Sequence, residues 1–184
     1  MKKYEYFIII TLIILFNILY FFSHQKDKSI NLTDPTDLLL YTTIHPRLYY
    51  YNEQGQLQYR INADKLEYNQ TSASSFLILP IIYIHTKDKD GLWTIRSETG
   101  ILEKKIELHL YNNVIMKQFM HQQLLHTATS SYAKILLDNY TMTSDKKITL
   151  TNETYHLSGI GFFSQLQQGN IYLLSEVEAL YEIR

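Results

Sequence analysis

The sequence predicts an all-β domain, a twisted open β-jelly roll of two antiparallel sheets, preceded by one N-terminal transmembrane helix. Three observations predict this fold class. Apolar and polar residues alternate in several segments, 16 tyrosines favour strands, and a long apolar run occurs at the start of the chain. No later segment has a 3.6-residue apolar period with helix caps. We therefore expect a cytoplasmic start and anchor over residues 1–22, a linker over 23–36 and the domain over 37–184.

The predicted anchor, residues 6–22, is apolar except for Thr11 and Asn17. A helix of this length extends about 25 Å, near the minimum for a hydrocarbon core of about 30 Å. A cleaved signal peptide is the alternative, but it needs small residues at its cleavage site, and this run ends in bulky ones. Lysines flank both ends, so charge alone leaves the orientation open.

Composition argues against several function classes. The chain has 17 basic and 18 acidic residues, and setting aside Lys2, Lys3 and Glu5 leaves 15 and 17 for the rest. That balance offers no basic surface for nucleic acid. Cysteine is absent, which excludes thiol catalysis, disulfides and cysteine-based zinc sites. No nucleophile or metalloprotease motif occurs and the histidines are scattered, so we expect no catalytic residue, metal or cofactor.

Four N-x-S/T sequons leave two interpretations. They indicate either a glycosylated secreted protein or chance in a chain rich in Asn and Thr. Chance is favoured, because a secreted eukaryotic domain usually carries disulfides.

Turns and strands follow from local patterns. Apolar residues alternate with polar ones over residues 57–64, and Gly55 supplies the preceding hairpin loop. Residues 106–110 and 114–116 read as a strand pair interrupted near Asn112, where a bulge or tight turn is expected. Residues 76–85 are apolar on both faces, and Pro80 favours an edge or bulge position there. Short strands at roughly ten-residue spacing are typical of a sandwich, jelly roll or barrel.

The last segment, residues 171–184, is predicted to be a long strand with a free edge that can pair with another chain. One face would carry Ile171, Leu173, Val177 and Tyr181. The other face would carry Glu176, Glu178, Leu180 and Glu182.

The interior admits two interpretations, an apolar cavity or an ordinary filled core, and apolar runs do not distinguish them. By alternation, the candidate lining residues are Leu77, Ile78, Leu108, Ile171, Leu173, Val177 and Tyr181.

Four segments in order resemble the LptC family of lipopolysaccharide export proteins: residues 55–68, 93–100, 108–114 and 158–162. The resemblance covers nearly the whole chain, including the basic start, anchor and linker. Family members often have Gly where Asn112 and Asn152 stand here, and Asn can adopt the same positive φ. With Gly55 and Gly159, these are the expected turn and bulge residues.

The resemblance implies a single-pass inner-membrane protein with a periplasmic jelly roll. Its anchor would lie beside the export ABC transporter, and its N-terminal edge, with Ile44, Leu48 and Tyr50, would meet a transporter subunit. Its C-terminal edge would pair with the periplasmic bridge protein, LptA. Lipopolysaccharide acyl chains would pass through the apolar groove, without a cofactor in this chain. The alternative is a membrane-tethered, non-catalytic scaffold of an envelope complex with a filled core.

Overall fold

The computed structural model describes residues 39–86, 91–121 and 123–181. This part of the chain is built of antiparallel strands, with one short 3₁₀ helix at Leu166–Gln168. The strands are β1 Leu39–Ile44, β2 Arg47–Tyr51, β3 Leu57–Asn62, β4 Lys65–Asn69, β5 Ser74–Ile78, β6 Ile81–His85, β7 Gly91–Arg96, β8 Thr99–Glu103, β9 Glu107–Met120, β10 Gln123–Leu136, β11 Thr141–Thr151, β12 Tyr155–Gln165 and β13 Asn170–Tyr181.

The strands form one open sheet that divides at β9. Residues 107–111 of β9 pair with β8, while residues 115–120 of the same strand edge pair with β7. From there the sheet runs β8-β5-β4-β1 in one direction and β7-β6-β3-β2 in the other. Half-sheet A comprises β1, β4, β5, β8 and residues 107–111, 132–136, 141–144, 162–165 and 170–173. Half-sheet B comprises β2, β3, β6, β7 and residues 114–120, 123–130, 147–151, 155–158 and 178–181.

A line of bends, the corner line, separates the two half-sheets. The chain crosses it at the β1–β2, β3–β4, β5–β6 and β7–β8 connections. The long strands β9 to β13 bend as they pass through it, with register shifts in β10–β13. Backbone hydrogen bonds follow this line. Asp64 donates to Ile78, Leu79 donates to Glu98, and Glu98 donates to Asn112. Because these amides and carbonyls are satisfied, the fold can turn here without leaving buried polar backbone.

Left-handed residues make the bends possible. Asn112 has φ 60°, Asn113 φ 48° and Gly161 φ 74°. These values lie in the region that Gly and Asn tolerate at least cost. The strand therefore bends and continues, instead of reversing direction.

Three local expectations need correction. Residues 107–116 belong to one strand, β9, because the two asparagines bend it without starting a hairpin. Residues 76–78 and 81–85 belong to two strands, one in each half-sheet, because Pro80 lacks an amide hydrogen and Leu79 has φ 49°. Asn152 does not adopt a positive φ; its side-chain oxygen instead accepts hydrogen bonds from the Thr154 and Tyr155 amides.

The expectation of two separate sheets also needs correction. The described strands belong to a single hydrogen-bonded sheet, because five strands pass unbroken through the corner line. The two halves still enclose a common core, which includes Trp93, Ile95, Leu108, Met116 and Phe162.

No helix in residues 39–86, 91–121 or 123–181 has the length and apolar character needed to cross a membrane. The predicted anchor and linker, residues 6–36, lie outside the described residues, as does Glu182.

Candidate functional site

Two rows of paired side chains cross the interior from one end of the sheet to the other. Residues that pair directly on neighbouring strands point to the same face, so each row is continuous. Row A, in half-sheet A, is Tyr41, Tyr68, Ser75, Leu102, Leu108, Ile135, Met142, Ser164 and Ile171. Row B, in half-sheet B, is Leu48, Ile61, Ile82, Ile95, Met116, Ala128, Leu150, Leu157 and Ala179.

Side chains in the middle of each row are buried, and side chains toward the ends of the rows are at least partly exposed to solvent. Leu108 in row A and Ile95 in row B are fully buried, whereas Tyr41 is 50% exposed. At the other end, Ile171 and Leu157 pack against the core but remain partly exposed. Neither row contains an ionisable group other than tyrosine, so the interior is suited to apolar chains and not to ions.

The expected lining residues occupy three kinds of position. Leu77 and Leu108 are fully buried in the closed middle. Ile171 and Leu173 flank the core, while Val177 and Tyr181 are 55% and 70% exposed on the edge strand. Ile78 is half-buried and pairs with Lys65 and Thr99, and because consecutive strand residues point to opposite faces, it lies on the face opposite Leu77.

The two half-sheets meet at the side opposite the corner line. Trp93 Nε1 of half-sheet B donates a 2.8 Å hydrogen bond to the Leu166 carbonyl oxygen beyond half-sheet A. Tyr140 Oη donates to Gln58 Oε1 at 3.0 Å. Nearby, burial and then the neighbouring Tyr50 and Tyr140 raise the pKa of Tyr59 to about 12, so its ring stays neutral.

Polar side chains interrupt the apolar interior beside Trp93. Gln118 pairs with both Trp93 and His126 across the strands, and it is only 3% exposed. Gln118 Oε1 and His126 Nε2 are buried with no hydrogen-bond partner among the described residues. Burial lowers the pKa of His126, so this imidazole is neutral at pH 7. Sequence reasoning missed this pair, because an isolated Gln and His in a strand give no signal.

The sheet has two ends at which strands pair on one side only within the described residues. At the N-terminal end, β1 pairs with β4 and β2 pairs with β3. Ile44, Leu48 and Tyr50, expected at this edge, are all exposed. At the C-terminal end, β13 pairs with β12, and Glu176, Glu178 and Leu180 are exposed.

The expected turn residues lie in the loops and bends that position these edges. Gly55 has φ 74° in the β2–β3 loop. Gly159 lies at the β12–β13 register shift, where Glu176 has φ 48°. No group of three or more His, Cys, Asp or Glu side chains in the described part of the chain could hold a metal ion.

An open antiparallel sheet folded along a corner, with an apolar interior and exposed apolar ends, defines a class of open-sheet β-proteins. The exposed ends are edges of the kind to which a further strand can add. The family model described as "Lipopolysaccharide-assembly, LptC-related" matches residues 7–182, and the chain belongs to this family.

Curated relatives agree with this assignment. The chain is 29% identical to the lipopolysaccharide export system protein LptC of Escherichia coli strain K12, over 87% of this chain and 84% of that protein. The proteins of the same name from Escherichia coli O157:H7 and Shigella flexneri match with the same identity and coverage.

Proposed function

We propose that this chain acts in lipopolysaccharide export as a relay, receiving lipopolysaccharide from the inner-membrane ABC transporter and passing it to the periplasmic bridge protein LptA. It does so as a non-catalytic, single-pass inner-membrane protein, with residues 6–22 as anchor and residues 37–184 as a periplasmic β-jelly roll. Its relatives are named lipopolysaccharide export system proteins, which supports a role for this chain in lipopolysaccharide export.

The observation that carries the proposal is the pair of rows that cross the interior from edge to edge. Row A begins beside the N-terminal edge at Tyr41 and ends on the C-terminal strand at Ile171. Burial of acyl chains there would be favourable by about 25 cal/mol of free energy per Å² of apolar surface removed from water. The rows offer no fixed polar anchor that would hinder onward movement of the chains.

Strand addition at the two ends would connect this interior to those of neighbouring modules. A partner strand beside β13 would satisfy its unpaired backbone groups, and Leu180 and Tyr181 offer exposed apolar side chains there. At the other end of the sheet, β1 and β2 would pair with a strand of a transporter subunit in the same way.

Deletion of residues 175–184 tests the C-terminal contact. We expect loss of LptA binding and retention of transporter binding, both measured by co-purification of the full-length protein. The deletion also uncovers Tyr155 and Leu157, so a milder variant, Leu180→Glu, is tested beside it. The Leu180 side chain is 70% exposed. The fold should therefore persist in Leu180→Glu while LptA binding weakens. Unchanged LptA binding by both variants would contradict the proposed edge.

One observation favours the alternative, a membrane-tethered scaffold. Leu77 and Leu108 are fully covered, so lipid could reach the middle only if the half-sheets separate. A short bismaleimide cross-link between cysteines substituted for Gln58 and Tyr140, whose long side chains join the half-sheets through a hydrogen bond, distinguishes the two. Cross-linking should stop lipopolysaccharide transfer in a relay and leave complex assembly intact, whereas a scaffold should tolerate it.

A further inference from the structure

We propose that Lys104 and Lys105 form a headgroup site for an anionic amphiphile at the N-terminal end of the interior, with the apolar chain held by Tyr41, Tyr68 and Leu102. This inference rests on the proposed lipid path and adds a recognition element to it. The headgroup chemistry is a phosphate or other small oxyanion attached to an alkyl chain.

A cavity of about 190 Å³ marks the place. Its lining residues are Tyr41, Tyr68, Ala73, Ser75, Leu102, Lys104 and Lys105. Whole small-molecule pockets have volumes of about 300–1,000 Å³, so this cavity suits one part of a longer ligand.

The cavity is continuous with row A. Tyr41 and Tyr68 stack with their ring centroids 5.2 Å apart, and Tyr68 packs against the core. Leu102, which also lines the cavity, pairs with the fully buried Leu108. A chain held here therefore lies at the open end of the apolar row.

The two lysines occupy an unusual backbone position. Lys104 has φ 48° and Lys105 φ 62°, and the Ile106 amide donates to the Glu103 carbonyl across the turn. Residues 103–106 form a β-turn with both central residues left-handed, a conformation that favours Asn-Gly. A lysine at either central position costs about 1–3 kcal/mol of strain, and the turn holds both lysines at the cavity.

Charge complementarity identifies the ligand. The residues that line the cavity include two lysines and no acidic side chain. Among the described residues, neither lysine ammonium makes an ion pair or a hydrogen bond. Glu103 follows Leu102 on β8, so its side chain points to the opposite face. The site therefore has two uncompensated positive charges beside an apolar aromatic cavity.

Photo-crosslinking with chain-matched amphiphiles tests the site. The full-length protein, with p-benzoylphenylalanine in place of Tyr41, is placed in phosphatidylcholine nanodiscs and illuminated with decyl phosphate or decyl maltoside. Intact-protein mass spectrometry then measures each adduct. Two partly exposed charge pairs should favour the decyl phosphate adduct by about fivefold.

The key variant is Lys104→Asn/Lys105→Gly, which removes the charges but suits the turn, so its melting temperature should stay equal or rise. It should reduce the decyl phosphate adduct to the decyl maltoside level and leave the latter unchanged. Lys104→Arg/Lys105→Arg should keep the preference. The matched control, Lys146→Gln/Lys147→Gln, removes two lysines from the corner of β11 and should change neither adduct.

Three outcomes would overturn the proposal. If the protein that keeps Lys104 and Lys105 gave equal adducts with both amphiphiles, the lysines would have no role in headgroup recognition. The proposed lipid path would be unaffected by that result. Loss of the decyl phosphate adduct on adding equimolar inorganic phosphate would make the lysines a general anion site. No adduct with either amphiphile would count against the proposed function as well.

Discussion

Trp93 of half-sheet B and Leu166, beyond half-sheet A, are joined by a 2.8 Å hydrogen bond from the indole Nε1 to the backbone carbonyl oxygen. The Trp93 side chain is fully buried, so this bond lies in the core and not at its rim. Together with the Tyr140–Gln58 hydrogen bond, it holds the two half-sheets face to face on the side opposite the corner line.

Trp93→Phe should therefore destabilise the domain by about 2–4 kcal/mol, because it opens a cavity and removes a buried hydrogen bond to the Leu166 carbonyl, which then keeps only the Gly169 amide as donor. Urea unfolding measures the change. Tyr49→Phe, at an exposed position of β2, is the control and should stay within about 0.5 kcal/mol of the parent. A loss below 0.5 kcal/mol for Trp93→Phe would show that this bond does not hold the half-sheets together.

Asn112 sets the bend of β9 at the point where the sheet divides. Its φ of 60° suits Gly and opposes β-branched residues. We expect Asn112→Gly to be nearly neutral and Asn112→Val to destabilise by about 1–3 kcal/mol, both measured by thermal unfolding. If both variants lost the same stability, the asparagine side chain would matter and the backbone conformation would not.

Gln118 is a buried polar side chain whose Oε1 has no hydrogen-bond partner in the described part of the chain. Gln118→Leu keeps the volume close and removes the desolvated amide, so we expect a gain of about 1 kcal/mol in the free energy of unfolding. Chemical denaturation measures it. A loss of stability would indicate that the amide is satisfied by bound water.

His126 should make the domain acid-sensitive. Burial lowers the pKa of its imidazole in the folded state, so the unfolded chain binds the proton more readily. This contribution to stability is fully present above the unfolded pKa of about 6.5 and is lost as the pH falls below it. His126→Phe should reduce the loss of unfolding free energy that occurs as the pH falls below about 6.5. An unchanged pH profile would contradict the assignment.

The fold class could be predicted because period-2 alternation is a local signal. The strand over residues 57–62 needs only its own sequence, and the left-handed tolerance of Asn112 is a property of one residue. Whether a left-handed residue ends a strand or bends it depends on its partners. The Glu98 amide that bonds to the Asn112 carbonyl comes from a distant segment, so β9 could not be recognised as one strand.

The interior residues were harder to predict for the same reason. Leu77 and Ile78 are adjacent and equally apolar, and only pairing with Leu66 and Lys65 on β4 distinguishes their faces. Tyr41, Tyr68 and Leu102 are far apart in the chain, and register alone brings them into one row. Family resemblance supplied the expected lipid, which no single residue of the interior specifies.

Site-specific photo-crosslinking in cells can show directly whether lipopolysaccharide passes through the interior. Tyr181 and Tyr172 are both exposed on β13, but Tyr181 pairs with Tyr155, which packs against the core, while Tyr172 pairs with the exposed Phe163. With p-benzoylphenylalanine at each position of the full-length protein, we predict lipopolysaccharide adducts at Tyr181 and not at Tyr172. Equal labelling at both positions, or labelling at Tyr172 alone, would contradict a path between the half-sheets.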